Sequence, residues 1–136
     1  MLKRFSVSLE DKLLAVFDQY IRKNQYNNRS EAIRDLIRKS FVHEEWEADK
    51  EVMGVVTLVY DHHQNQLQDR ITELQHEFHQ HIVSTTHVHM DHHNCLEVTI
   101  VRGKAKQVKE LSQKMFALRG VKNGHLATSS TGGHLD

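Results

Sequence analysis

The chain has 136 residues, with Lys and Arg (18) balanced by Asp and Glu (18), twelve histidines, one cysteine and no proline. That length holds one medium domain or two small ones. It contains no apolar run of about eighteen residues to cross a membrane, and a lone cysteine excludes an internal disulfide.

The start, Met1 to Ser8, has neither the apolar core nor the cleavage site of a signal peptide, so the expected location is the cytoplasm. There a thiol remains available as a metal ligand. The neutral total conceals an asymmetry. Residues 1–42 carry nine Lys/Arg against five Asp/Glu, and the remainder nine against thirteen. A basic front suggests a polyanionic partner for the first segment and another task for the rest.

In chain order, Arg4-Phe5-Ser6-Val7-Ser8-Leu9 alternates polar and apolar and predicts a short, half-buried strand. From Glu10 to Asn24, Leu13, Leu14, Val16, Phe17, Tyr20 and Ile21 recur at helical spacing. Tyr26 to Ser30 is a polar turn, and a second helix is predicted from Glu31 to about Phe41. One strand has no partner within so short a unit, and so small a unit rarely folds alone. A second copy solves both problems by pairing the strands as an antiparallel ribbon. Arg4, Ser6 and Ser8 then face outward, and such a ribbon fits the major groove of DNA.

This segment resembles the ribbon-helix-helix family of dimeric DNA-binding repressors, through Arg4 to Leu9 and the turn Tyr26-Asn-Asn-Arg-Ser-Glu-Ala-Ile-Arg34. The resemblance implies a phosphate clamp at the second helix, which falls here to Asn28, Arg29 and Ser30. Glu31 and Asp35, four apart, read as acids that favour the helix N-terminus rather than as cation ligands. We expect residues 1–45 to form this domain, and residues 46–52, after a charge-dense stretch whose carboxylates are solvated, to be a linker.

From Met53 to Tyr60 the sequence is β-branched and nearly all apolar, as in a buried central strand. A helix from about His63 to Gln80, strands His81–Met90 and Cys95–Arg102, a helix Lys104–Arg119 and a strand Val121–Thr128 follow. That order is βαββαβ, the ferredoxin-like plan, over residues 53–128. The fold class is therefore α+β, and residues 129–136, small and polar, are expected to be disordered.

Nine of the twelve histidines fall between His62 and His93, around the single cysteine. On a strand, His87 and His89 share a face, and after the turn Asp91–Asn94 the chain returns with Cys95 beside them. Two imidazoles and a thiolate suit a borderline or soft transition metal and exclude calcium and magnesium. Ligand type alone leaves nickel, copper, cobalt and zinc open. Val88, Met90, Leu96, Val98 and Ile100 form the more apolar face of the hairpin and are expected under the helices. His87, His89, Cys95 and Glu97 would then lie on the helix-free face, a candidate subunit interface. His76 points away from the stripe Leu67, Ile71, Leu74 and Phe78 and is placed to reach a neighbouring chain. Glu97 and Tyr60 are candidates to hydrogen-bond a ligand imidazole. His62, His79, His92 and His93 are candidates for weak binding of further metal, but solvated histidine is the better reading of each.

With His76, the motif His87-x-His89-x5-Cys95 and the turn before the second helix taken together, the whole chain resembles the nickel-responsive transcriptional regulators called NikR. The resemblance implies a homotetramer of two DNA-binding dimers flanking four ACT-type regulatory domains. It also implies square-planar Ni(II) held by His87, His89 and Cys95 of one chain and His76 of another. The function implied is a repressor that binds operator DNA with nickel and controls nickel uptake or nickel-enzyme genes. An alternative is an ACT-type regulator responding to an amino acid. A storage protein would have no use for the basic alternating N-terminus. We expect no enzymatic activity, since a site with four protein ligands lacks the open position of a catalytic metal.

Overall fold

The structure, a computed structural model, describes residues 1–64 and 66–136. It divides into two compact units, Met1–Ser40 and Phe41–Asp136, and the division falls within the second helix.

In the first unit, helix α1 spans Asp11–Lys23, with Asp11 in its first turn and Arg22 and Lys23 in its last, matching the helix dipole at both ends. Helix α2 spans Arg29–Glu47. Asn28 caps its start, the side-chain carbonyl accepting from the Glu31 amide at 2.9 Å. Ile21 and Ala32 are buried, and the Tyr26 hydroxyl donates to Asp35. Residues 1–10 are extended but form no strand. The strand expected over Arg4–Leu9 needs a second edge to bond to, and one chain supplies none. Phe5 and Val7 accordingly stand 71% and 57% exposed.

Helix α2 runs past its expected end near Phe41 because residues read as solvated linker pack onto the second unit, to which they belong. Trp46 is buried and its indole N–H donates to the Ser129 carbonyl at 2.9 Å. Glu45, only 7% exposed, accepts from the Ser130 hydroxyl at 2.9 Å. These bonds also tie down the first residues of the tail that composition marks as disordered.

The second unit is a four-stranded antiparallel sheet in the order β2-β3-β1-β4. Its elements are β1 (Glu51–Asp61), α3 (Leu67–Glu77), β2 (Ile82–His89), β3 (Asn94–Lys104), α4 (Ala105–Phe116) and β4 (Val121–Ser129). The helix expected from His63 begins over a stretch that includes Asn65, which lies outside the described residues. Along β1, Val52, Gly54, Val56, Leu58 and Tyr60 are buried and alternate with half-buried residues. Gly54 is required by the approach of α4, since a Cβ there would lie 2.8 Å from Val108 Cγ1. Val108, Leu111 and Met115 of α4 and Leu67 and Ile71 of α3 complete the core.

The two faces of the sheet are the reverse of those expected. Cys95, Glu97, Thr99 and Val101 are the buried residues of β3, and they share the helix-covered face with Tyr60, whose hydroxyl donates to Gln68 of α3 at 2.8 Å. The face carrying Val88, Leu96, Val98 and Ile100 has no helix. Ranking the hairpin faces by apolar content failed because β1 is apolar on both sides, so it gave no means of deciding which face the helices cover.

Candidate metal centre

The β2–β3 register sets His89 opposite Cys95 and His87 opposite Glu97, while Tyr60 pairs with Cys95 from the other side. All five therefore project from one face. Cys95 Sγ lies 3.3 Å from His89 Nδ1, and the rings of His87 and His89 are 5.0 Å apart between centroids. The hairpin turn is held by Asp91, whose carboxylate accepts from the Asn94 side-chain amide (3.0 Å) and from the backbone amides of Asn94 (2.7 Å) and His93 (2.8 Å), bonds that together lower its pKa to about 2. Strand pairing and the Asp91 turn thus bring His89 and Cys95 together, with His87 on the same face but outside the group whose ligand atoms lie within 4.8 Å of one another.

Around His87 the two expected supporting residues are in place. His87 Nδ1 lies 3.4 Å from the Tyr60 hydroxyl and 3.8 Å from Glu97 Oε1. Burial pushes the Cys95 thiol above its ordinary value, and the carboxylates of Asp61, Asp91 and Glu97 push the same way. Burial also raises Glu97, while His87 and Gln75 pull it partly back. Glu97 Oε2 is buried without a hydrogen-bond partner among the described residues.

Glu97 yields a prediction in pH. Its folded pKa is raised, so the folded protein holds that proton more tightly than the unfolded chain does. The stability it contributes is fully present below the unfolded carboxyl value and is lost as pH rises through the folded one. Above that folded value the metal-free protein must hold a buried, incompletely bonded carboxylate. Glu97→Gln is expected to flatten the loss of melting temperature of the metal-free protein as pH rises above the ordinary carboxyl range, and to melt higher than the wild type once the Glu97 proton is lost. A melting curve series of the two proteins reads this directly.

Some residues are not gathered. His76, in the last turn of α3, is exposed; its ring stacks on His79 and belongs to no ligand group among the described residues of one chain. Conversely, sequence reasoning did not place His62 beside the cysteine. Its side chain joins His89 and Cys95 in a group whose ligand atoms all lie within 4.8 Å of one another. The signal was parity: His62 follows Tyr60 by two, and its amide continues the β1–β3 ladder to the His93 carbonyl at 3.0 Å. Using it required knowing that β1 neighbours β3.

Of the expected DNA contacts, Arg4, Ser6 and Ser8 are exposed on the extended N-terminal segment. Asn28 is spent on capping α2. Arg29 makes a two-pronged bond to Asp18, 3.0 Å at each prong. Ser30 is exposed at the helix start. Glu31 and Asp35 also have internal partners, the Asn27 amide at 3.3 Å for the first, Tyr26 and Lys39 for the second.

Residues 53–129 match the family described as NikR C terminal nickel binding domain, and residues 3–40 match ribbon-helix-helix protein, copG family. The chain is 66% identical over 132 residues to a protein of Desulfotalea psychrophila, covering 97% of both. It is 50% identical to one of Caldanaerobacter subterraneus subsp. tengcongensis, covering 97% of this chain and 86% of the other. Both carry the name "Putative nickel-responsive regulator". The chain belongs to the nickel-responsive regulator family. Among solved structures, the uncharacterized protein TM1266 from Thermotoga maritima superimposes with a TM-score of 0.52 at 15% identity, covering 57% of this chain and 96% of that one. That similarity concerns the fold alone, and its extent fits the βαββαβ unit.

The family's metal fits the residues present. A thiol and an imidazole nitrogen 3.3 Å apart stand at the spacing of two ligands on one ion, with His87 alongside. The buried, incompletely bonded Glu97 beside His87 is the kind of acceptor that orients a ligand imidazole. No helix is long and apolar enough to cross a membrane among the described residues.

Proposed function

We propose that this chain is a nickel-dependent transcriptional repressor that binds operator DNA when Ni(II) is held between subunits, and that it controls genes of nickel uptake or nickel enzymes. The observation that carries the reading is the meeting of His87, His89 and Cys95 on one sheet face in a chain whose N-terminal segment is a ribbon-helix-helix unit.

His87, His89 and Cys95 of one chain and His76 of another would hold the ion, and the nickel would supply a link between chains. The His87 Nδ1 proton, directed at Tyr60 and Glu97, leaves Nε2 as the coordinating atom. His76 lies on the outer side of α3, and β2 is an exposed edge strand, so the partner's α3 approaches over that edge. The helix-free face, with Val88 43% exposed beside half-buried Leu96, Val98 and Ile100, supports assembly as a tetramer. In the first unit, Phe5, Val7, Leu13, Phe17 and Ile37 line an open apolar groove that a second copy would fill. Pairing of the two N-terminal segments then turns Arg4, Ser6 and Ser8 toward base edges. With Asn28 and Arg29 already bonded within the chain and the Glu31 amide given to the cap, phosphate contact at the start of α2 rests on Ser30. A regulator with this division of labour has no need of catalysis, and it acts on DNA in the cytoplasm.

Metal acts as a switch only if it favours one arrangement of the DNA-binding dimers over others, and each tenfold gain in DNA affinity needs about 1.4 kcal/mol of such coupling. Fluorescence anisotropy with the gene's own upstream DNA is expected to show tighter binding when stoichiometric Ni(II) is added. DNA affinity that ignores nickel would remove the proposal.

A further inference from the structure

Beside the Cys95 group, and sharing no residue with it, lies a second cluster of donors: Asp61, His63 and His93, whose ligand atoms all lie within 4.8 Å of one another. His63 Nδ1 is 3.3 Å from Asp61 Oδ1. Two ligands on one tetrahedral ion at metal–ligand distances of about 2.0 Å are separated by about 3.3 Å, so this pair is already at coordinating spacing. The His63 and His93 rings are 5.3 Å apart between centroids, and both side chains are exposed.

The backbone beneath these donors is held at both ends. The Asp61 carboxylate accepts from the His63 amide at 2.9 Å, the His62 amide donates to the His93 carbonyl at 3.0 Å, and the His93 amide donates to Asp91 at 2.8 Å. The His63 amide also holds the Asp61 carboxyl below its ordinary value, aided by the nearby charges of His63, His93 and Lys122, so it is an anion at neutral pH. Lys122, bonded to Asn94 at 2.6 Å, is a fixed positive neighbour of Asp61, and a bound cation displaces the protons of His63 and His93 but not that charge.

We propose that Asp61, His63 and His93 form a second divalent-metal site, built within one chain, for a borderline ion such as Ni(II) or Zn(II). Two imidazoles and one carboxylate select such ions over calcium, and the absence of sulfur separates this site chemically from its neighbour. Its donors are more exposed than Cys95, so it fills after the thiolate site.

The test is equilibrium dialysis of the full chain against Ni(II), with the sulfur-to-nickel charge-transfer band recorded on the same samples. In the His63→Ala/His93→Ala variant we expect the loss of one Ni(II) per chain with the charge-transfer band unchanged. In Cys95→Ala we expect the loss of one Ni(II) together with the band, while the ion dependent on His63 and His93 remains. Asp61→Asn, which keeps the side chain's shape, should weaken the band-silent ion alone. Unchanged stoichiometry in the double variant, or loss of the band along with the ion, would overturn the proposal.

Discussion

Cys95→Ser is expected to abolish the sulfur-to-nickel charge-transfer band and to weaken nickel binding at the hairpin site by about 100- to 1000-fold. A four-ligand metal site contributes about 10–16 kcal/mol, so one ligand accounts for about 3–4 kcal/mol of it. Serine keeps the volume of the buried side chain but offers a hydroxyl, a far weaker ligand for a borderline metal. The fold should survive, since Cys95 packs in a core shared with Tyr60, Leu67 and Ile71. The response of DNA binding to nickel should be lost with the ligand, whereas an amino acid sensor would respond to its effector as before. Because burial and nearby carboxylates hold the thiol protonated at neutral pH, wild-type nickel binding must expel that proton. Affinity should therefore climb as pH rises from 6 to 8, and titrations in buffers of different ionisation enthalpy will report the released protons.

Ile71→Ala is expected to cost about 2–5 kcal/mol, the range for emptying a buried aliphatic site that cannot fully collapse. Ile71 is fully buried on the inner side of α3, the helix that carries Gln68 toward Tyr60 and displays His76 on its outer side. Loosening α3 thus reaches the metal ligands through the support they share. Nickel at about 1000 times its dissociation constant would return about 4 kcal/mol to the folded state, so the metal-bound variant should melt close to the metal-free wild type while the metal-free variant melts well below it. Calorimetry with and without nickel separates this from a loss of ligands, which no nickel concentration in that range would rescue.

The helical repeats and the βαββαβ order were legible because each depends on local periodicity, whereas the strand expected at Arg4–Leu9 is extended but unpaired in the single chain. The meeting of His87, His89 and Cys95 was legible too, since a short polar turn between two strands fixes which residues face each other. The face that the helices cover was not legible. That depends on which strands are neighbours, and β1, apolar on both sides with Gly54 admitting α4, decides it. His62 and His63 were not placed at the hairpin for the same reason, since they reach it only because β1 pairs with β3. The length of α2 was hidden by its charges. Glu45 and Trp46 look like a solvated helix tail until Ser129 and Ser130, distant in sequence, are seen to bond them.

The central claim, that one nickel ion is gripped by side chains of two chains, is tested most directly by mixing subunits. His76→Ala and Cys95→Ala proteins, each defective at every hairpin site, are unfolded, combined, refolded together and titrated with Ni(II). If the ligands come from different chains, mixed oligomers contain some sites with Cys95 from one variant and His76 from the other, and the charge-transfer band returns at reduced intensity. If a single chain supplies all the ligands, mixing restores nothing, and the account is wrong.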